Sequence, residues 1–438
     1  MIDAKALLVP TLGECRHRSP VADPVEQRAA ARRTAEEFDR VLLFDTAQAL
    51  DRARSAGEVP SFEVAGPRSM LYFDPAHTKA GIVTCGGLCP GLNDVIRGLV
   101  MILWHRYGVR EILGFRYGYA GLNPEEGQPP MKLTPAEVSS IHETGGTILG
   151  SSRGPQDTGT MVDTLMREGV NILFTVGGDG TLRGAIAISQ EAKRRGYPLA
   201  VVGVPKTIDN DILYVERSFG FQTAFSVAVE AIRAGHIEAR GAEGGIGLVK
   251  VMGRHSGFVA AYAALANNDA NFVLIPEVAF PLEGPDGLLP LLKRRLLERA
   301  HAVIVVGEGA GTHLLGEEEG TDASGNRKLG DIGKFLQDRI KSYLDAEGVE
   351  YTLKYIDPSY SIRSVKADAG DSVYCFRLAS SAVHAAMAGR TEMLVGTFHG
   401  RFVHIPIEVA VSRRQQIDPD GDLWLSVLEA TGQPRWAP

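Results

Sequence analysis

The run Val204-Pro205-Lys206-Thr207-Ile208-Asp209-Asn210-Asp211 gathers a lysine, a threonine and two acids in one short stretch. One carboxylate could take a proton from an alcohol, and the lysine could hold a phosphate. A second run, Val176-Gly177-Gly178-Asp179-Gly180-Thr181, sets another acid among glycines. Two acid-bearing loops of this kind suggest phosphoryl transfer to a hydroxyl. That reaction needs positioning and charge neutralisation more than covalent help. The bland alternative for Asp209 and Asp211 is a turn whose aspartates cap a helix.

Both runs follow apolar segments, residues 199–203 and 171–176, that read as buried strands. Residues just beyond the carboxyl end of a parallel strand are where open α/β sheets bind ligands. Residues 81–85 read as a further strand, followed by Gly86-Gly87-Leu88-Cys89-Pro90-Gly91-Leu92-Asn93 and a helix over about 94–104. A strand, a glycine turn and a helix can cradle a phosphate, although a tight turn that merely starts a helix looks the same. Residues 112–115 give another strand, and Thr134-Pro135-Ala136-Glu137 has the form of a capping box that opens a short helix. In the Gly/Ser loop 145–154, Arg153 could hold a phosphate or adenine, or be a solvated loop arginine.

Helices are expected over 183–195 and 222–238, then strands over 246–252, 272–275 and 302–306. Their ends again pair glycine with charge, in Gly253-Arg254-His255-Ser256-Gly257 and Gly307-Glu308-Gly309. Helices near 288–300 and 331–346 lie between. Residues 353–356 lead into Asp357-Pro358-Ser359-Tyr360-Ser361-Ile362-Arg363, and a helix over 371–388 with strands near 393–397 and 402–407 closes the sheet. This alternation predicts the α/β class with a doubly wound parallel sheet.

At 438 residues the chain is long enough for about two or three domains. A net charge of −7 does not suggest a nucleic-acid surface. No apolar run reaches the roughly 18 residues that span a bilayer, so no membrane partner is expected. Met1-Ile2-Asp3-Ala4-Lys5 lacks the order of a signal peptide, and a cytoplasmic protein is expected. Cys15, Cys85, Cys89 and Cys375 read as reduced thiols, without the spacing of a metal site. Residues 1–75 read as an N-terminal extension without evident chemistry. Asp23-Pro24 is a plausible start for a helix running to residue 40, residues 41–44 a possible strand, and 56–67 a linker.

Taken together the motifs resemble the phosphofructokinase family. The matching residues are Cys85-Gly86-Gly87, Pro90-Gly91 and Asn93; Gly146-Thr147, Gly150-Ser151 and Arg153; Gly177-Gly178-Asp179-Gly180-Thr181; Pro205-Lys206-Thr207-Ile208-Asp209-Asn210-Asp211; and Met252-Gly253-Arg254. They stand in the family's order. Gly-Gly-Asp-Gly-Thr alone also occurs in NAD kinases and lipid kinases; joined to the Pro-Lys-Thr-Ile-Asp-Asn-Asp run it is specific. The N-terminal extension and Tyr355-Ile356-Asp357-Pro358-Ser359-Tyr360 look like the long ATP-dependent branch of trypanosomes and plants.

The resemblance implies two doubly wound, Rossmann-like domains with the active site between them. A phosphoryl-donor domain would take 76–213 with 361–411, and a sugar-phosphate domain 214–360 with 412–438. Gly87, Arg153, Gly154, Gly178, Asp179, Gly180 and Thr181 would bind ATP, and Asp179 would hold Mg²⁺. Asp209 would be the base that deprotonates the 1-hydroxyl of fructose 6-phosphate, assisted by Lys206 and Thr207. Thr207, Ile208, Asp211, Met252, Gly253, Arg254 and Glu308 would contact the sugar phosphate. Lys354, Tyr360 and Arg363 keep the spacing of the family's 6-phosphate residues, but only Arg363 keeps the residue type. The short bacterial members also carry an arginine at the position that falls here on Gly245. A homo-oligomer, dimer or tetramer, is implied as well.

The donor is read from one position. Pyrophosphate users commonly carry aspartate after the Gly-Gly-Asp aspartate, where its side chain would fill the space of the nucleotide's α-phosphate. Gly180 leaves that space open and favours ATP. Lys206 points the other way, since pyrophosphate users carry lysine there, but the long ATP branch combines both residues. If the heads of Lys206 and Asp209 came within about 4 Å, they would attract by about 4 kcal/mol at an effective dielectric near 20, before desolvation. That would weaken the base, so Lys206 is expected to serve the transferred phosphate. The alternatives are a pyrophosphate-dependent enzyme, a kinase for another sugar phosphate, and a non-catalytic relative. Intact Asp179, Thr207, Asp209 and Arg254 count against the last.

Overall fold

Runs of Val, Ile, Leu and Ala with little polar interruption make strands covered on both faces, and parallel sheets need that covering. The computed structural model describes residues 3–21, 39–44, 46–55, 59–315, 320 and 329–436. The helix start expected at Asp23-Pro24 lies outside the described residues. In chain order the strands are β1 (His17–Arg18), β2 (Arg40–Leu42), β3 (Ser61–Val64), β4 (Met70–Leu71), β5 (Lys79–Thr84), β6 (Glu111–Phe115), β7 (Met131–Lys132) and β8 (Ile172–Gly177). They continue as β9 (Ala200–Pro205), β10 (Gly245–Val251), β11 (Phe272–Leu274), β12 (His301–Gly307), β13 (Thr352–Ile356), β14 (Met393–Phe398) and β15 (Arg401–Pro406).

The chain divides into two units. The first holds Met1–Thr207, Ile212–Gly220 and Lys366–Arg413; the second holds Ile208–Asp211, Phe221–Val365 and Arg414–Pro438. The first unit carries a nine-stranded sheet in the order β2-β3-β15-β14-β9-β8-β5-β6-β7. Its centre, β14-β9-β8-β5-β6, is parallel. Strands β8 and β9 are buried along their whole length.

The edges depart from the parallel sheet that the alternation predicts. Strands β14 and β15 are antiparallel because His399 (φ 47°) and Gly400 (φ 70°) form a two-residue reversal, and a tight hairpin turn of this hand needs positive φ at both positions. Strands β3 and β2 then extend this edge, also antiparallel. Both lie within residues 1–75, and β3 falls in the segment read as a linker. Phe62 on β3 is fully buried, with the rings of Tyr214 and Phe398 at 5.4 and 5.3 Å. A four-residue strand is too short to show its alternation. No helix starts at Thr134. The Thr134 hydroxyl donates to the Glu137 carboxylate, so that carboxylate is held by a side chain, and only a short turn, Ile141–Glu143, follows.

The second unit carries four parallel strands in the order β11-β12-β10-β13. Each sheet has a point where the winding reverses. From β5 the chain steps out to β6 and returns to β8 on the other side; from β10 it builds β11 and β12, then crosses to β13. The crevices at β5/β8 and β10/β13 are where such sheets bind ligands. The loops after these strands carry the residues singled out by sequence.

Candidate active site

In the first unit, the helix Asp179–Arg194 begins earlier than expected, so Asp179, Gly180 and Thr181 form its first turn. Gly178 is the N-cap without a side-chain cap, which leaves the backbone N–H groups of that turn open to an anion. A Cβ placed on Gly180 would meet nothing within 4 Å. Thr181 is buried, and its carbonyl accepts the Tyr119 hydroxyl at 2.6 Å. The Asp179 carboxylate accepts the Arg183 guanidinium at 3.1 Å, one helical turn on, and Arg183 also donates to the Val411 carbonyl.

Three loops of this unit are tied together. Lys206 is 6% exposed, and its Nζ donates to the Gly87 carbonyl at 2.8 Å. The Lys206 N–H donates to the Gly177 carbonyl at 3.0 Å. The Gly86 N–H donates to the Ser152 carbonyl at 3.0 Å, and the Ser151 hydroxyl returns a bond to the Gly86 carbonyl at 2.6 Å. Arg153 and Gly154 follow directly and are exposed. Thr207 ends the segment, with its carbonyl accepting the Ser218 hydroxyl at 2.6 Å.

In the second unit, Asp209 meets the loops that end β10 and β12. The Arg254 backbone N–H donates to its carboxylate, and the Ser256 hydroxyl donates to its carbonyl at 2.7 Å. Burial, then the negative charges of Asp211 and Glu308, pushes the Asp209 carboxyl up to about 7; the Arg254 N–H and the Arg414 charge oppose the rise. Asp211 is 7% exposed and paired with Arg414. Ile208 is buried. Gly253, at φ 128°, makes the reversal after β10, and the Gly309 N–H donates to its carbonyl at 3.1 Å. Met252 and Arg254, half-buried, flank it. Glu308 begins beyond β12, where its N–H donates to the Val251 carbonyl at 2.9 Å. Burial raises its carboxyl, while the charges of Arg254, Lys250 and Arg363 face it and lower it.

The three residues near the end of β13 are not gathered equally. Arg363, on the short helix Ser359–Ser364, faces Glu308 and lies 5.2 Å over the Tyr360 ring. Tyr360 is 76% exposed. Lys354 is exposed and sits in mid-strand opposite Gly247, short of the strand's carboxyl end. Lys250, near the carboxyl end of β10, stands beside the end of β13 instead. Its ammonium pairs with Asp331 at 3.1 Å and Asp357 at 2.9 Å, and these bonds outweigh burial and raise its pKa.

Sequence reasoning gave no role at the site to Arg183, Lys250, Ser256 or Arg414. Arg183 was findable from its helical spacing to Asp179. Lys250 was findable as a lysine inside an otherwise apolar strand. Arg414 carries no local signal, because it reaches Asp211 across a long stretch of chain. The four cysteines are free thiols, and burial pushes Cys85 up to about 12. No helix among the described residues is long and apolar enough to cross a membrane.

A family model described as Phosphofructokinase matches residues 79–386. The chain belongs to the phosphofructokinase family. Over 436 residues it is 53% identical to an ATP-dependent 6-phosphofructokinase of Amycolatopsis methanolica, covering 98% of this chain and 95% of that one. An ATP-dependent 6-phosphofructokinase of Trypanosoma brucei brucei is 51% identical over 372 residues, 84% of this chain and 76% of its own. ATP-dependent 6-phosphofructokinase 7 of Arabidopsis thaliana is 47% identical over 376 residues, 85% and 77% of the two chains. The trypanosome and plant likeness expected from residues 355–360 is therefore present across most of the chain. Among solved structures, a pyrophosphate-dependent phosphofructokinase from Marinobacter aquaeolei has a TM-score of 0.67 at 20% identity, covering 81% of this chain and 91% of that one. That likeness is one of phosphofructokinase fold.

Proposed function

We infer that this phosphofructokinase moves the γ-phosphoryl group of ATP to the 1-hydroxyl of fructose 6-phosphate, giving fructose 1,6-bisphosphate and ADP. The observation that carries the donor is the open space at Gly180, where a Cβ would touch nothing within 4 Å. The names and high identity of the bacterial, trypanosome and plant relatives support the same reading.

The donor phosphates lie against Gly87, Gly178, Gly180 and Thr181, whose glycines and helix N-terminus offer backbone N–H groups. Arg153 and Gly154 close the nucleotide side. Asp179 holds Mg²⁺. The donor set fits that ion: a single carboxylate at a helix start leaves the remaining positions to water and substrate phosphates. Bound there, Mg²⁺ would neutralise charge on the phosphate oxygens. Lys206, held on the Gly87 carbonyl, serves the transferred phosphate.

Asp209 takes the proton of the 1-hydroxyl. A carboxyl raised to about 7 is a far better base than an ordinary one and is still about half ionised at neutral pH. Thr207, Ile208 and Asp211 position the acceptor, with Met252, Gly253, Arg254 and Glu308 around the sugar. Arg363, with Tyr360 beside it, takes the 6-phosphate. A cytoplasmic homo-oligomer, dimer or tetramer, completes the reading.

The test is initial-rate formation of fructose 1,6-bisphosphate with Mg²⁺, with ATP and pyrophosphate in parallel. Turnover with ATP alone is expected. Turnover with pyrophosphate alone would make Lys206 the better guide to the donor, and activity with neither would move the assignment to another acceptor.

A further inference from the structure

The turn that carries Asp209 and Asp211 is gripped by the four residues that follow Arg413. Arg414 Nη1 donates to Oδ2 of the buried Asp211. Gln415 donates its backbone N–H to the Asp211 carbonyl at 2.9 Å and its side-chain amide to the Asn210 carbonyl at 3.3 Å. Gln416 Nε2 donates to the His255 carbonyl at 2.9 Å. The Ile417 N–H donates to Glu277 Oε1 at 2.9 Å, and that oxygen also accepts the Gly257 N–H at 2.9 Å. The segment therefore joins the turn at 209–211 to the loop at 253–257. Asn210, at φ 54°, holds the left-handed conformation that asparagine adopts more readily than other residues with a side chain.

We propose that Arg414 is a positioning residue of the reaction: its ion pair with Asp211, together with the bonds from Gln415, holds the turn that presents Asp209 and keeps the neighbouring Asp211 charge compensated. The proposal rests on Asp209 being the base. Asp211 and Glu308 disfavour its ionised form; the Arg254 N–H and the Arg414 guanidinium favour it. Glu308 is itself answered by Arg254, Lys250 and Arg363. Without Arg414, a second carboxylate beside Asp209 loses its ion-pair partner.

The experiment measures kcat/KM for fructose 6-phosphate against pH, at saturating ATP-Mg²⁺. In Arg414→Gln the acidic limb should move to higher pH by roughly one pH unit, about a tenfold loss on the acidic side that shrinks at alkaline pH. Arg414→Lys should restore most of the limb. Arg413→Gln, which removes an exposed neighbouring charge, should coincide with the parent. A uniform rate loss with the limb unmoved would overturn the proposal and leave Arg414 a structural residue. Should Arg414→Gln fail to fold, Asp211→Asn carries the test: removing that carboxylate should move the limb to lower pH, and an unmoved limb again overturns the proposal. Asp209→Asn separates the two levels. Undiminished turnover there would end the reading of Asp209 as base, whatever Arg414 does.

Discussion

Gly180→Asp sets donor binding against folding, and the two should move in opposite directions. Gly180 lies in the first turn of Asp179–Arg194, exposed and with open space around its missing Cβ, so an aspartate enters without a clash. Folding should not suffer. Glycine in a helix is worse than alanine by roughly 0.5–1 kcal/mol, and an acid in the first turn gains about 0.5 kcal/mol from the helix N-terminus. Repulsion from Asp179 offsets part of this, although Arg183 already pairs with that carboxylate at 3.1 Å. Binding ATP is another matter. A carboxylate about 5 Å from an α-phosphate charge is repelled by about 3 kcal/mol at an effective dielectric near 20. Solvent at this exposed position could halve that, so kcat/KM for ATP should fall roughly 10- to 150-fold. The assay is steady-state kinetics with ATP beside a thermal melt of the free enzyme. An unchanged kcat/KM for ATP would refute the steric and electrostatic reading of Gly180. A lower Tm would show instead that the turn cannot take the side chain.

Three further outcomes are expected. Asp209→Asn should lower kcat by about 10²- to 10⁴-fold, the usual worth of a general base. Its folded pKa is raised to about 7, so the ionised carboxyl opposes folding as pH climbs from the unfolded value through 7. The asparagine variant should therefore be more stable than the parent at pH 8, by on the order of 4 kcal/mol, with the gap narrowing as pH falls through 7 and closing near the unfolded value of about 4 in urea melts; a constant gap would count against the raised pKa. Lys250→Met leaves Asp331 and Asp357 without their shared cation, which should destabilise the fold by about 3 kcal/mol and raise KM for fructose 6-phosphate more than KM for ATP. Equal changes in both constants would separate Lys250 from the acceptor side. At Glu63, burial would raise the carboxyl, but bonds from His404 and Arg390 outweigh it and hold it well below the usual range. Its contribution is present above the unfolded value and lost as pH falls, so Glu63→Gln should cost about 3 kcal/mol at pH 7 and little in acid; a deficit equal at both would exclude the ion pairs as its source.

What could be read from sequence was local. The motif loops sit at strand ends because apolar runs of strand length precede them, and β8 and β9 are buried as such runs require. The glycines mark turns whose backbone geometry is written in residue type, as at Gly253. The sheet edges were less legible. Strand β3 is only four residues long, and its place beside β15 depends on pairing with residues more than three hundred positions away. The ion pair between Arg414 and Asp211 is non-local in the same way. Lys354 shows the opposite limit: the family resemblance assigns it to the sugar phosphate, yet strand register sets it opposite Gly247 in mid-strand, while Lys250 sits near the end of the neighbouring β10.

The two acids of the central turn show why residue type cannot assign roles by itself. Asp209 and Asp211 are two positions apart and chemically alike. Asp211 is committed to the Arg414 guanidinium and to holding the turn. Asp209 is desolvated, with the charges of Asp211 and Glu308 acting on it and a backbone N–H from Arg254, and its carboxyl is raised to about 7. Two like acids whose surroundings differ in this way are suited to different tasks, one to hold geometry and one to exchange a proton. Exchanging the two surroundings should therefore exchange the roles more readily than any change to the acids themselves. Asp209→Glu, with the environment intact, should keep a pH profile with a limb near neutrality at a reduced rate, because a longer arm misplaces the base without altering what raises its pKa. A limb that instead falls to the ordinary glutamate range near 4 would show that the acidity belongs to the residue and not to the site.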